Sequence, residues 1–127
     1  MLESKLDENR GIITLYPGDE LREADFEYAT RLADEFLEKG GEIKGVIINT
    51  RDFPGWESFN AMLTHFRFIR DYHEKIPKVA LVTDSAVGKV GEKVANHFVA
   101  AEIRHFPFDD LKDAEQWVLE EKGTQQR

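Results

Sequence analysis

Cysteine is absent from the 127 residues, which excludes a disulfide framework, a thiol nucleophile and any thiolate metal site. No uncharged run approaches the roughly 18 apolar residues that a membrane-spanning helix requires. The opening Met1-Leu2-Glu3-Ser4-Lys5-Leu6-Asp7-Glu8 is too charged for a secretory signal, so a cytoplasmic location is expected. Positive charge is also scarce: 17 Lys and Arg face 25 Asp and Glu, for a net charge of −8. Binding to a phosphate backbone needs a cationic face, so nucleic acid is not an expected partner.

The usual catalytic patterns are missing as well. There is no Gly-x-Ser-x-Gly elbow and no His-Glu-x-x-His helix. Gly88-Lys89-Val90-Gly91 lacks the spacing of a phosphate-binding loop, and its glycines read as a close helix contact. Of His65, His73, His97 and His105, no two stand four apart, so no metal site is expected. His73 falls near an apolar stripe and reads as a hydrogen-bonded, partly buried histidine. The acids lie on solvated helix faces, with no pair placed for proton transfer. The sequence therefore points away from an enzyme and from any cofactor.

What is present is the pattern of one α/β domain spanning residues 1–127, with 41% hydrophobic residues to build a core. Leu2–Asp7 and Ile12–Tyr16 flank the turn residues Asn9-Arg10-Gly11, which predicts a hairpin with Leu2–Asp7 at the sheet edge. Tyr28, Ala29, Leu32, Ala33, Phe36 and Leu37 recur at helical spacing between Arg22 and Lys39, and Gly40-Gly41 ends that helix. Gly45–Thr50 and Lys78–Thr83 are continuous apolar runs of the kind covered on both faces. Ser58 is placed to cap a helix running to about Lys75, and Asp84 or Ser85 to cap one through Phe98. A strand at Ala101–Phe106 precedes a last helix, capped by Asp109 or Asp110, with Leu111, Ala114, Trp117 and Val118 facing inward. Strands joined by helices pair in parallel. The expectation is an N-terminal β-hairpin followed by a (βα)n superhelix, with a mostly parallel five-stranded sheet and four helices.

Two stretches hold more than this fold needs. The loop after Gly45–Thr50 carries Phe53 and Trp56 around Pro54-Gly55, where ligands of open α/β sheets tend to sit. Asp52, Phe53, Trp56, Ser58 and Met62 are the candidate ligand-binding residues, for a small apolar or amphipathic ligand. The alternative is that both aromatics plug the end of the core. The helix from Ser58 has one core stripe of Phe59, Met62, Leu63, Phe66 and Ile69. His65, Phe68 and Tyr72 lie about a third of a turn away. They are candidate interface residues for a homodimer or a partner protein, or else packing against a neighbouring helix.

Several segments, in order, resemble the SpoIIAA-like branch of the STAS superfamily (sulphate transporter and anti-sigma-factor antagonist). They are Ala24-Asp25-Phe26, Asp52-Phe53-Pro54-Gly55-Trp56, His73, Lys78-Val79-Ala80-Leu81-Val82-Thr83-Asp84, Ala101-Glu102-Ile103-Arg104-His105-Phe106 and Ala114-Glu115-Gln116-Trp117. The resemblance implies a hairpin followed by a (βα)n superhelix, and a binding or regulatory module rather than a catalyst. Classical antagonists of this kind carry a phosphorylatable serine in an Asp-Ser-Ser/Thr-Gly motif after the central strand. This chain has Trp56-Glu57-Ser58-Phe59 there, so the motif is absent. Ser58 is nevertheless a hydroxyl near the corresponding place, a candidate phosphorylation site as well as a plain helix cap.

Overall fold

The computed structural model describes residues 2–18, 23–52, 73–84 and 101–120. It begins with strand β1 (Leu2–Asp7), β2 (Ile12–Pro17) and helix α1 (Glu23–Glu38). There follow β3 (Gly45–Asn49), a 3-10 turn at His73–Lys75, β4 (Lys78–Val82), β5 (Glu102–Phe106) and helix α2 (Leu111–Leu119). The expected sheet forms in sequence order, β1-β2-β3-β4-β5. β1 is antiparallel to β2, and every other neighbour is parallel. Two of the four expected helices are α1 and α2. Those expected from Ser58 and from Asp84 or Ser85 lie outside the described residues apart from their ends, as does the side chain of His73.

The hairpin turn is organised by Asp7. Its Oδ1 accepts the backbone N–H of Asn9 at 3.1 Å and of Arg10 at 3.2 Å, while Oδ2 accepts Arg10 Nε at 2.6 Å. Helix α1 ends as its glycines require. Gly40 adopts φ +89°, Gly40 N donates to Leu37 O, and Gly41 N donates to Phe36 O, which is the paired bonding of a Schellman cap.

Alternation along the strands divides the core between the two faces of the sheet. On one face Ile13, Leu15, Val46, Ile48, Val79 and Leu81 pack with Ala29, Ala33 and Phe36 of α1. On the other, Ile12, Ile47, Ala80, Val82 and Phe106 pack with Ala114, Trp117 and Val118 of α2. The inner face expected for the last helix is thus the observed one. That of α1 is narrower than its apolar pattern: Tyr28 is 47% exposed, because one residue's rotation of about 100° carries it off the Ala29 face.

Lys78 opens β4 yet is only 4% exposed. Its Nζ donates to Trp117 O at 2.8 Å and Glu120 O at 2.6 Å, and stands 5.1 Å from the Trp117 ring centroid. Helix α2 has no basic residue in its own last turn. A cation from β4 therefore satisfies its terminal carbonyls and the negative end of its dipole. Asp110 stands at the N-cap position, as expected, but its side chain makes no capping hydrogen bond.

Candidate functional site

β3 and β4 lie side by side at the middle of the sheet, with Val46 opposite Val79 and Asn49 opposite Val82. Their carboxyl ends form a rim together with that of β5. The chain leaves β3 through Thr50, whose N–H still bonds Val82 O at 3.1 Å and whose Oγ1 donates to Asp52 O at 2.9 Å. Arg51 O then accepts two donors from the β4 side, Thr83 Oγ1 at 3.0 Å and Asp84 N at 3.1 Å. Three bonds and a local turn hold this exit in one conformation.

A second set of contacts ties the same point to the end of β5. Asp84 Oδ2 accepts Arg51 Nη1 at 3.2 Å, and Asp84 Oδ1 accepts Phe108 N at 3.1 Å. The Arg51 guanidinium lies 4.5 Å from the Phe108 ring centroid, within cation–π range. Thr83 N donates to Phe106 O at 3.0 Å, and His105 Nε2 lies 2.8 Å from Thr83 O. A carbonyl only accepts, so that ring nitrogen carries the proton. Asp84 therefore bridges the loops that leave β3 and β5.

Of the candidate ligand-binding residues, Asp52 is placed at this rim, with its side chain exposed. Phe53, Trp56, Ser58 and Met62 lie outside the described residues, as do the candidate interface residues His65, Phe68 and Tyr72. The sequence reading missed Arg51 and Phe108 at the rim, and took Asp84 for a helix cap only. Arg51 carried no signal, since one arginine in a polar loop looks like any other. Asp84 and Phe108 meet across 24 residues, which only knowledge of the parallel pairing could have anticipated. Among the described residues there is no group of three or more His, Cys, Asp or Glu able to hold a metal ion. No helix among them is long and apolar enough to cross a membrane.

Chemically, the rim offers an exposed cation (Arg51), exposed carboxylates (Asp52 and Asp84) and an aromatic ring on a rigid frame. A hairpin leading into successive parallel strands in sequence order, with a rim at their carboxyl ends, is consistent with a STAS-like α/β module. The SpoIIAA-like family model matches residues 12–119, and the chain belongs to that family. No curated protein and no solved structure matches the chain.

Proposed function

We propose that this protein is a non-enzymatic regulatory module that binds a partner protein through the rim at the ends of β3, β4 and β5. Family membership supports the class, since SpoIIAA-like domains act as regulatory and protein-interaction modules. The observation that carries the choice of surface is the Arg51–Asp84–Phe108 bridge. It presents arginine and aromatic groups, the types that dominate binding energy at protein interfaces. The test is affinity purification of the full chain from its own cells, run in parallel with Arg51→Glu and Asp52→Lys. A partner retained by the native chain should be lost from both variants while melting temperatures stay close. Retention by both variants would remove the rim from consideration.

A second reading keeps the same place but makes the occupant a small apolar or amphipathic ligand held by Asp52, Phe53, Trp56, Ser58 and Met62. What favours it is the position of Asp52 at the carboxyl ends of parallel strands, where ligands of open sheets gather. Trp117 is 5% exposed and packed on Phe106, with ring centroids 5.8 Å apart, so Trp117→Phe leaves Trp56 as the reporter. No change in its fluorescence across a broad lipid and metabolite panel would retire this reading. Phosphorylation of Ser58 would be a switch for either occupant, and intact-mass measurement of the protein from its cells reads it directly.

A further inference from the structure

β5 is an outer strand of the sheet, with β4 on one side and no described strand on the other. Two bonds fix which of its peptide groups are in use. Glu102 N donates to Pro77 O at 2.9 Å, and Phe106 O accepts Thr83 N at 3.0 Å, so both residues turn their peptide groups to β4. By alternation Arg104 does the same, and the N–H and C=O of Ile103 and His105 point away from the sheet. This edge is open in the single chain. Glu102, Arg104 and His105 are exposed, and Ile103 is half-buried, with its side chain at the margin of the core on the α1 face. β1, at the opposite edge, differs: Ser4 in its middle is only 7% exposed.

Charged side chains on an edge strand ordinarily keep other strands away. On β5 the two charges are of opposite sign and stand two residues apart, at Glu102 and Arg104, which places them on the same face of the sheet. That face also carries Phe106, and the Arg104 guanidinium lies 5.1 Å from its ring centroid. An acid and a base so spaced repel most strands but complement their own copy running the other way.

We infer that β5 pairs antiparallel with β5 of a second copy of this chain, about a twofold axis through Ile103. The outward peptide groups of Ile103 and His105 admit an axis at Ile103, Arg104 or His105, and the side chains choose among these. An axis at Arg104 would set that cation against the partner's Arg104, where side chains come closest. An axis at His105 would set Ile103 against the partner's Pro107, which has no N–H to give. With the axis at Ile103, that residue and the partner's Ile103 form a hydrogen-bonded pair, as its outward peptide groups require. Glu102 then falls opposite the partner's Arg104, and Arg104 opposite the partner's Glu102, in the non-hydrogen-bonded positions. One short strand thus supplies both backbone and charge complementarity to itself, and the two five-stranded sheets run on as one.

Sedimentation velocity of the full chain across the micromolar range should show a reversible dimer. Glu102→Arg sets like charges against each other in both symmetric pairs and should raise the dissociation constant about tenfold or more, at nearly unchanged melting temperature. Glu102→Arg combined with Arg104→Glu restores opposite charges and should restore the dimer. Hydrogen exchange adds a signature that a dimer formed elsewhere would not give. On raising the concentration, the amides of Ile103 and His105 should slow, whereas those of Glu102 and Arg104, already bonded to β4, should not. Arg51→Glu, at the rim, should leave the dimer intact, so that self-pairing and partner binding are read separately. A strict monomer, a dimer indifferent to Glu102→Arg, a dimer lost with Arg51→Glu, or unchanged exchange at Ile103 and His105 would each overturn the proposal.

Discussion

Two charged residues, Lys78 and Asp7, show how differently single side chains act in this molecule. Lys78 is buried at the start of β4, and its Nζ is held by the carbonyls of Trp117 and Glu120. Replacing it with Met keeps the length and apolar stem but removes the donor, so Glu120 O loses that bond and Trp117 O keeps only the N–H of Glu120. Lys78→Met should destabilise the fold by about 2–3 kcal/mol, measured by urea unfolding. A loss of less than ~0.5 kcal/mol would show that water replaces the ammonium without penalty. Asp7 lies in the open, at the hairpin turn. The hydrogen bond from the Arg10 side chain, foremost, draws its carboxyl below the ordinary value of 3.8. The folded chain therefore binds that proton less readily than the unfolded chain does. Stability from the ionised group is fully present above the ordinary value and is lost as the pH falls through the lowered one. The melting-temperature gap between the native protein and Asp7→Asn should hold steady from neutral pH down to about the ordinary carboxylate range and close below it. A gap independent of pH would mean that the turn, and not the charge, was what Asn failed to support.

At the scale of elements, α2 depends on how closely it can approach the sheet. A Cβ at Gly45 would stand 2.7 Å from Val118 Cγ1 and 2.9 Å from Lys78 O. The helix side chain could yield, but the β4 backbone cannot yield without disturbing the central ladder. Gly45→Ala should lower stability by about 1–3 kcal/mol, read as a shift in the denaturation midpoint at constant slope. An unchanged midpoint would mean that α2 rides outward freely and that its packing contributes little. Such elements were legible in the sequence where a local rule set them. Leu2–Asp7 and the Gly40-Gly41 stop came from turn and cap chemistry, and the inner face of α2 from the period of Leu111, Ala114, Trp117 and Val118. The contacts that hold α2 in place were not legible, because Lys78 and Trp117 are 39 positions apart, and a lysine opening an apolar run looks like an ordinary strand flank. For the same reason Asp52 could be placed at the rim from strand order alone, while Arg51, Asp84 and Phe108 emerged only once β3, β4 and β5 lay side by side.

For the molecule as a whole, the apolar runs Gly45–Asn49 and Lys78–Val82 were the strongest signal, and they occupy the centre of the sheet. Every residue of both strands is buried, and Val46, Ile47, Ile48, Val79, Ala80 and Val82 are at 0% exposure. Each face is sealed by a separate cluster, one with α1 and one with α2. Opening either strand thus exposes both layers at once, whereas β1 is held by one ladder and by packing on the α1 face alone. Local stability should follow that geometry. Under native conditions the ladder amides of β3 and β4 should exchange only through global unfolding, sharing one free energy and one denaturant dependence. The β1 amides bonded to β2 should exchange faster, with weaker denaturant dependence. Equal exchange in β1 and β4 would mean that the hairpin is part of the cooperative core.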